Sequence, residues 1–577
     1  MRTVIGSVDD WEWRAVSGTT VSGAPAGAGA SEPGSELGGE PAGPGPDRRG
    51  LRLTPVNAII AVITLLALGL RLYQLGRPGY LLSVTEYDDG PYFGSAVRLV
   101  NGSIPYRDFL LVQPPGITLL MTPSALLGRL AGTDWAIASG RLLTVFAGTA
   151  SVTLGGLLAR HRGVFAVLVA CGLPAVFPDS IQAAHTVLVE PWLAVFCLAG
   201  ALAVFQGDRL TASHRRLVWG GVAFGFAGAV EVWAIFPLAV IAVLSLRAPR
   251  RLAYYLAGAA AGFLILVLPF AVIAPRGLYQ GLVVAQVGSR YHPSRVPNWY
   301  RVKEMVGLSD FHVTQATPLI VAAVIATFVI AVLCLACWAS RRSPTALEWF
   351  AIASTILVAA AFMWPSQFHY HFPAFLVPFL ALAIALPTAR LMRDASSAPD
   401  AASGPDAGSV RRWTAPSGLQ WSAAGLAGLA ILAMAVVQGR SETTLQPHVA
   451  YSTVAAARRL IPPGACVVTD QVSLTLVANR FVSDVPGCPL LVDSIGTDYA
   501  LSHGRNPLTG AARFPAVVAV WRNALSRAQY VWLSGRQLRR VPWTPALMKY
   551  FGQHFTRIMG QGSANGGIYR RDGLPSR

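Results

Sequence analysis

The stretch EYDDGPYFGSAVRLVNGSIPYRDFLLVQPPG, residues 86–116, decides how the rest of the chain is interpreted. It gathers four acidic side chains, Glu86, Asp88, Asp89 and Asp108, although only 13% of the residues in this chain are charged. The apolar run that precedes it, at about 55–75, is long enough to cross the roughly 30 Å hydrocarbon core of a bilayer as a helix. The acids therefore lie directly beside a predicted membrane span.

Apolar runs of similar length recur along the chain, which has 577 residues and a hydrophobic content of 53%. A soluble protein could not bury so many of them, so the sequence predicts an α-helical polytopic membrane protein with about 11 transmembrane helices. A shorter apolar piece, 117–131, is expected to be interfacial or re-entrant. The predicted spans lie at about 55–75, 137–158, 163–178, 187–206, 217–231, 233–247, 253–274, 316–338, 347–364, 372–391 and 418–437.

The formal net charge of +18 reflects short arginine clusters between apolar runs. Examples are Arg160 with Arg162, Arg215 with Arg216, and Arg341 with Arg342. Such clusters are typical of cytoplasmic loops, so the charge indicates membrane topology and argues against a nucleic-acid partner. With these clusters in the cytoplasm of a plasma-membrane protein, the N-terminus is cytoplasmic and the region after the last span is extracytoplasmic.

This topology predicts three regions. Residues 1–50, rich in Gly, Ala, Pro and Ser, are expected to be a disordered cytoplasmic tail. Residues 51–438 form the transmembrane domain, whose first outer loop is 76–136. Residues 439–577 contain the β-rich runs ACVVTD, QYVWLS and GIYRR and predict a small extracytoplasmic α/β domain. Cys466 and Cys488 lie in that domain and are the plausible disulfide, which requires an oxidising compartment.

Most unusual polar residues fall on the outer side in this topology. Ionisable groups near a membrane span are costly and are usually retained for a purpose, so their convergence predicts an outward-facing polar cavity. The candidate site residues are Asp88, Asp89, Arg107, Asp108, Gln113, Arg141, Glu190, Glu231, Arg290, His292, Arg301, Lys303, His369 and His371.

These residue types suit the transfer of a group from a phosphate-linked carrier to a hydroxyl. A carboxylate can accept the hydroxyl proton, and cations can hold the negative charge of the departing phosphate. The sequence has no P-loop and no glycine-rich dinucleotide turn. A lipid phosphate reached from the membrane is therefore the expected carrier.

The first loop resembles that of the GT-C glycosyltransferases. The branch it is most similar to contains protein O-mannosyltransferases, lipid A aminoarabinose transferases and their actinobacterial relatives. The resemblance rests on the acidic pair Asp88–Asp89, on Gln113–Pro114–Pro115–Gly116, on Arg141 in ASGRLL and on Glu190–Pro191 in HTVLVEPWLAVF. It extends over roughly residues 55–390. High Ala, Gly, Arg and Pro usage suits a GC-rich bacterium such as an actinomycete.

The resemblance implies an inverting glycosyltransferase that uses a polyprenyl-phosphate sugar, with mannose or arabinose as the leading sugars, and an acceptor in the cell envelope. Asp88 would be the general base, Asp89 its supporting partner, and Glu190 would shape the sugar or acceptor site. Arg141 and basic residues of the 275–314 loop would bind the polyprenyl phosphate. No cofactor or catalytic metal is implied, although a divalent metal is left open.

Several alternatives remain at this stage. Relatives often have Lys where this chain has Glu231, which leaves open altered activity or an inactive relative acting as an assembly partner. A transporter or flippase of lipid-linked sugars is a second alternative, disfavoured by the absence of a sequence repeat. Asp88 or Asp89 could only cap a helix, and Arg107–Asp108 could be a surface ion pair. His369 and His371 could belong to an interfacial aromatic belt, and metal binding there is not expected.

Overall fold

The structure is a computed structural model, and it describes residues 54–286, 295–395, 418–535, 540–561 and 563–574. The predicted tail at 1–50 lies outside these residues, as do Arg290 and His292. Six of the described helices are long and apolar enough to cross a membrane, and shorter apolar helices accompany them. The protein is therefore a mostly helical, multi-pass membrane protein.

The membrane part consists of sixteen described α-helices and a short hairpin. Its helices are α1 (Pro55–Leu75), α2 (Asp89–Val100), α3 (Gly116–Ala131), α4 (Thr133–Ala159), α5 (Val164–Val176), α6 (Pro178–Gln182), α7 (Glu190–Val204), α8 (His214–Val230), α9 (Ile235–Leu244), α10 (Pro249–Ile273), α11 (Pro275–Tyr279), α12 (Asn298–Met305), α13 (Ala316–Ser340), α14 (Ala346–Phe362), α15 (Pro373–Ala395) and α16 (Gly418–Thr444). The hairpin pairs β1 (Phe205–Gln206) with β2 (Arg209–Leu210).

A helix lies at every predicted span, and α3 lies at the predicted interfacial segment. Leucine and isoleucine side chains on the long helices point outward, among them Leu65, Ile265, Ile320 and Leu429, each more than half exposed. An exposed apolar surface of this kind is stable against lipid tails and unstable against water. The exact number of helices that cross the bilayer, and the orientation of the termini, stay predictions.

A small mixed sheet with helices forms the C-terminal region, as the β-rich runs predicted. The sheet order is β3-β4-β6-β5, with β3 and β4 parallel and the other neighbours antiparallel. Cys466 and Cys488 are joined by a disulfide with a Cα–Cα distance of 5.5 Å. The elements are α17 (Tyr451–Leu460), β3 (Val467–Thr469), α18 (Val472–Val477), α19 (Ser494–Leu501), α20 (Pro515–Arg527), β4 (Tyr530–Leu533), α21 (Pro545–His554), β5 (Phe555–Gln561) and β6 (Ser563–Arg571).

The first outer loop and the C-terminal domain share one buried apolar cluster. Phe93 and Val97 of α2 pack in it with Val472 and Leu476 of α18. The contact is close enough to require glycine at position 90, because a Cβ there would lie 2.6 Å from the backbone nitrogen of Ser473. The domain is thus packed directly onto the loop that carries the acids.

Candidate active site

A cavity of about 810 Å³ opens where three parts of the chain meet. The first outer loop forms one wall, the segment between α14 and α15 forms a second, and the C-terminal domain forms the third. A pocket of this size accommodates a sugar with part of its carrier. Its polar lining consists of Glu86, Tyr87, Asp88, Tyr92, Gln113, Glu190, Glu231, Gln286, Gln367, His369, His371, Asp493, Tyr499, Asn506 and Arg540.

The two adjacent acids of the first loop point to different places. Asp88 precedes the first residue of α2 and lines the cavity, with about 24% of its side chain exposed. Asp89 is the first residue of α2 and is fully buried away from the cavity. Successive residues of a helix point roughly 100° apart, which is enough to separate the two carboxylates. Asp88 is therefore the one of the pair that can meet a substrate.

Asp89 is held by side chains from three separate segments. Its Oδ2 accepts from Arg141 at 2.9 Å and from Thr186 at 2.6 Å, and its Oδ1 accepts from Ser473 at 2.6 Å. A buried carboxylate needs this degree of pairing to remain charged. Asp89 consequently fixes the start of α2 and the direction of its neighbour, Asp88.

Arg141 differs from its predicted role. It is fully buried, and its donors reach the Leu81 and Ser83 carbonyls, the Thr85 and Thr186 hydroxyls and Asp89. It does not line the cavity. With each guanidinium nitrogen already bonded, Arg141 positions Asp89 and cannot reach a donor phosphate without breaking these bonds.

His371 connects two carboxylates of the cavity. Its Nδ1 lies 2.7 Å from Glu190 Oε1 and its Nε2 lies 3.5 Å from Asp88 Oδ2. Burial by itself would lower the pKa of His371, but the Glu190 and Asp88 carboxylates outweigh it and hold the pKa well above the ordinary value. Partial burial raises the pKa of Asp88, but the hydrogen bond from His371 and the nearby histidine charges bring it below its ordinary value. Asp88 is thus ionised at neutral pH.

The same corner has the donor atoms of a metal site. One ligand atom each from Asp88, His369 and His371 lie within 4.8 Å of one another. Glu190 bonds Nδ1 of His371 and so leaves Nε2 for a metal, an arrangement common around zinc. These three residues could hold a divalent cation, which the sequence patterns did not predict.

The other predicted residues divide into two groups. Gln113 and Glu231 line the cavity: Gln113 donates to the Tyr92 hydroxyl at 3.1 Å, and Glu231 accepts from the Val232 amide at 2.9 Å. Arg107 and Asp108 pair with each other at 2.8 Å on the surface, with Arg107 about half exposed. Neither of these two lines the cavity, which agrees with the alternative of a surface ion pair.

The predicted cations of the later outer loop are also away from the cavity. Arg301 is fully buried and donates to the carbonyls of Val296, Phe362 and Ser366. Lys303 donates to the Ser309 carbonyl at 3.0 Å. Lys303 thus stabilises its own loop, whereas Arg301 joins that loop to the end of α14 and the segment that follows it.

The C-terminal domain supplies residues that sequence reasoning missed. Asp493 and Arg540 line the cavity from this domain, and Tyr87, beside the acids, bridges to it through Asp493 and Ser494. Tyr87 stands inside the stretch that carries the resemblance, but nothing in the local sequence identifies its partners. Only the fold brings positions so far apart in the chain together.

Comparison with solved structures identifies the architecture. ArnT from Cupriavidus metallidurans in the apo state is similar with a TM-score of 0.53 at 13% identity, over 89% of this chain and 98% of that one. The chain therefore has the same overall fold as that structure. No family model and no curated protein matches the chain.

Two further structures show weaker likeness to this chain. ArnT from the same organism bound to undecaprenyl phosphate has a TM-score of 0.43 at 17% identity, over 82% of this chain and 77% of that one. The Archaeoglobus fulgidus oligosaccharyltransferase in the apo form has a TM-score of 0.47 at 13% identity, over 83% and 69%. At such identities the comparisons establish the architecture alone.

Proposed function

We propose that this protein is a membrane glycosyltransferase that moves a sugar from a polyprenyl-phosphate donor to a hydroxyl of a cell-envelope acceptor. The observation that carries the proposal is the position of Asp88, a carboxylate in the cavity beside the membrane helices that lies 3.5 Å from His371, which is itself bonded to Glu190. The GT-C-like fold and the first-loop motif agree with it. The extracytoplasmic face is the proposed side of the reaction.

In the proposed reaction, the acceptor oxygen attacks the anomeric carbon while the bond from that carbon to the phosphate oxygen breaks. The acceptor proton passes to Asp88, and the electron pair of the broken bond leaves on the polyprenyl phosphate. A single displacement of this kind inverts the configuration at the anomeric carbon. Glu190 orients His371, and His371 in turn positions Asp88.

The proposed donors carry mannose or arabinose, and the acceptor is an envelope glycolipid, polysaccharide or protein. Glu231 contributes to this site through its carboxyl group, which lines the cavity. A sugar presents several hydroxyls, and a carboxyl group can hydrogen-bond with them. Glu231 in place of a lysine thus fits the recognition of a sugar better than the binding of a phosphate.

The test compares the wild-type protein with Asp88→Asn, both purified, in transfer from polyprenyl-phosphate mannose and arabinose to envelope extracts. Loss of a general base lowers the rate by roughly 10²- to 10⁴-fold. Asp572→Asn is the matched control, because Asp572 is an exposed carboxylate of the C-terminal domain that does not line the cavity. We expect full activity in this control.

Two results would contradict the proposal. Undiminished transfer by Asp88→Asn would remove Asp88 as the base. Binding of the lipid phosphate by the wild-type protein without transfer of either sugar would favour the inactive assembly partner or the flippase.

A further inference from the structure

The cavity has a charge imbalance that an anionic donor must overcome. Five acidic side chains line it: Glu86, Asp88, Glu190, Glu231 and Asp493. The phosphodiester of a lipid-linked sugar carries one negative charge, and like charges in a partly buried site repel strongly. Binding such a donor therefore requires a cation that faces the cavity.

Arg540 is that cation among the described residues. It is the one arginine or lysine in the lining of the cavity over the described part of the chain. Arg141, Arg301 and Lys303 direct their donors at internal partners instead. His371 also lines the cavity, but its two ring nitrogens lie beside carboxylates, Nδ1 at 2.7 Å from Glu190 and Nε2 at 3.5 Å from Asp88.

Among the described residues, the guanidinium of Arg540 uses only some of its N–H donors. Its Nη1 donates to Gln471 Oε1 at 2.8 Å, and its plane lies over the Tyr87 ring with the central carbon 4.3 Å from the ring centroid. Gln471 is itself anchored, since its Nε2 donates to the Glu86 carbonyl at 2.9 Å. A guanidinium has five N–H donors in a rigid fork that matches a phosphate, so one edge is fixed and the rest can bind a ligand.

We infer that Arg540 binds the phosphate group of the lipid-linked donor, so the C-terminal domain completes the donor site. The inference rests on the proposed function and names the residue that binds the phosphate in that site. Tyr87 links Asp88 to Arg540. Tyr87 directly precedes Asp88 in the chain, and the guanidinium of Arg540 lies over the Tyr87 ring. The proposed base and the proposed phosphate ligand are therefore positioned by the same residue.

The experiment measures binding of polyprenyl phosphate, polyprenol and inorganic phosphate to full-length protein in detergent. Wild type is expected to bind polyprenyl phosphate more tightly than polyprenol. Arg540→Gln should weaken polyprenyl phosphate by about 10- to 100-fold, the size of a lost charge-assisted contact, and leave polyprenol unchanged. Arg540→Lys keeps the charge without the fork and should lie between the two. Arg522→Gln, an exposed arginine of the same domain, should bind all three ligands like wild type.

A second measurement uses the wild-type protein and so does not depend on a variant that folds. Phenylglyoxal modifies accessible arginines, and mass spectrometry reports the modified fraction of Arg540. Polyprenyl phosphate should protect Arg540 against the reagent, whereas polyprenol should not. Equal protection by both lipids would overturn the inference.

The outcomes separate the inference from the proposed function. If wild type prefers the phosphate over the alcohol and Arg540→Gln retains that preference, Arg540 is not the phosphate ligand although the donor class stands. If wild type shows no preference and no transfer, the proposed function fails. If inorganic phosphate binds as tightly as polyprenyl phosphate, the site recognises free phosphate, and the assignment to a lipid donor is overturned.

Discussion

Asp88 and Asp89 are adjacent at the start of α2 but have different surroundings. Asp89 is bonded by Arg141, Thr186 and Ser473 and fixes the helix, while Asp88 faces the cavity. The sequence indicated that the pair is functional but could not say which acid faces the substrate. The direction of Asp89 depends in part on Ser473, which lies 384 positions further along the chain and donates a hydrogen bond to Asp89. A motif therefore predicts a site more reliably than it predicts the role of each residue.

Asp493 gives the cavity a charge that changes with pH. Burial is the main cause that raises the pKa of its carboxyl, which is about 6. An acid with a raised pKa loses its charge when the pH falls through that value, so the cavity becomes less negative between pH 7 and pH 5. A phosphodiester donor keeps its single charge over this range. We expect donor binding by the wild-type protein to strengthen as the pH falls, by a few-fold for one weakened repulsion.

Asp493→Asn is the matched variant, since asparagine can still accept from the Gly496 amide at the start of α19. It should bind the donor more tightly than wild type at pH 7, and the difference between the two proteins should vanish at pH 5. The two proteins are compared with each other at each pH, so that other groups that titrate in this range contribute equally to both. A constant difference from pH 5 to pH 7 would contradict the assignment.

Added zinc tests whether Asp88, His369 and His371 can bind a metal ion. Ligands of one zinc ion lie about 2.0–2.2 Å from it, so three atoms already within 4.8 Å of one another need little movement. Zinc bound there would occupy the proposed base. Added zinc is therefore expected to inhibit transfer in a titration, and a chelator is expected to restore the rate.

His369→Gln removes one ligand and should raise the zinc concentration needed for half inhibition by about tenfold or more. The rate of each protein is expressed relative to its own rate without metal. Stimulation by zinc, or loss of transfer on chelation alone, would instead make the metal part of the reaction.

At the scale of elements, the contact between α2 and α18 sets the position of the site. Alanine at position 90 would place its Cβ against a backbone atom of Ser473, and backbone cannot rotate away as a side chain can. Gly90→Ala is expected to cost about 1–3 kcal/mol of unfolding free energy, as overpacking does, and to lower transfer because Asp88 shifts with α2. Thermal unfolding and transfer rates measure the two effects.

Gly428→Ala serves as the control for this contact, because a Cβ at position 428 meets nothing within 4 Å. It should keep both the melting temperature and the rate. A melting temperature of Gly90→Ala equal to that of wild type would mean that α2 and α18 are not rigidly packed.

The same elements show what the sequence could and could not predict. Hydropathy placed a helix at every span because burial in lipid imposes a long apolar run that is visible locally. The runs ACVVTD and QYVWLS likewise predicted β3 and β4. A charged residue near a span indicates function, and on this ground the sequence predicts Arg141 and Arg301 as ligands. Whether the donors of each arginine face backbone carbonyls or the cavity is decided by tertiary packing, which the sequence does not show.

At the scale of the whole molecule, the domain that follows the membrane helices is part of the site. The described residues from 54 to 574 form one compact unit, and one apolar cluster runs from α2 into α18. The disulfide closes a loop at this contact. Cys466 and Cys488 are 22 positions apart, and α18, which includes Ser473, lies between them. An oxidising environment would thus stabilise the segment that holds Asp89, which agrees with the proposed extracytoplasmic location.

Replacing both cysteines tests this coupling between the domain and the reaction. Cys466→Ala with Cys488→Ala should lower the unfolding free energy of the domain by about 2–4 kcal/mol, because the open loop gains entropy when unfolded. Transfer should fall together with stability, since Ser473 and Gln471 lie inside the loop and hold Asp89 and Arg540. Cys334→Ala with Cys337→Ala removes two thiols that form no disulfide and should change neither quantity. If the loss of the disulfide lowered stability while transfer at low temperature stayed at the wild-type rate, the domain would stabilise the protein without contributing to its active site.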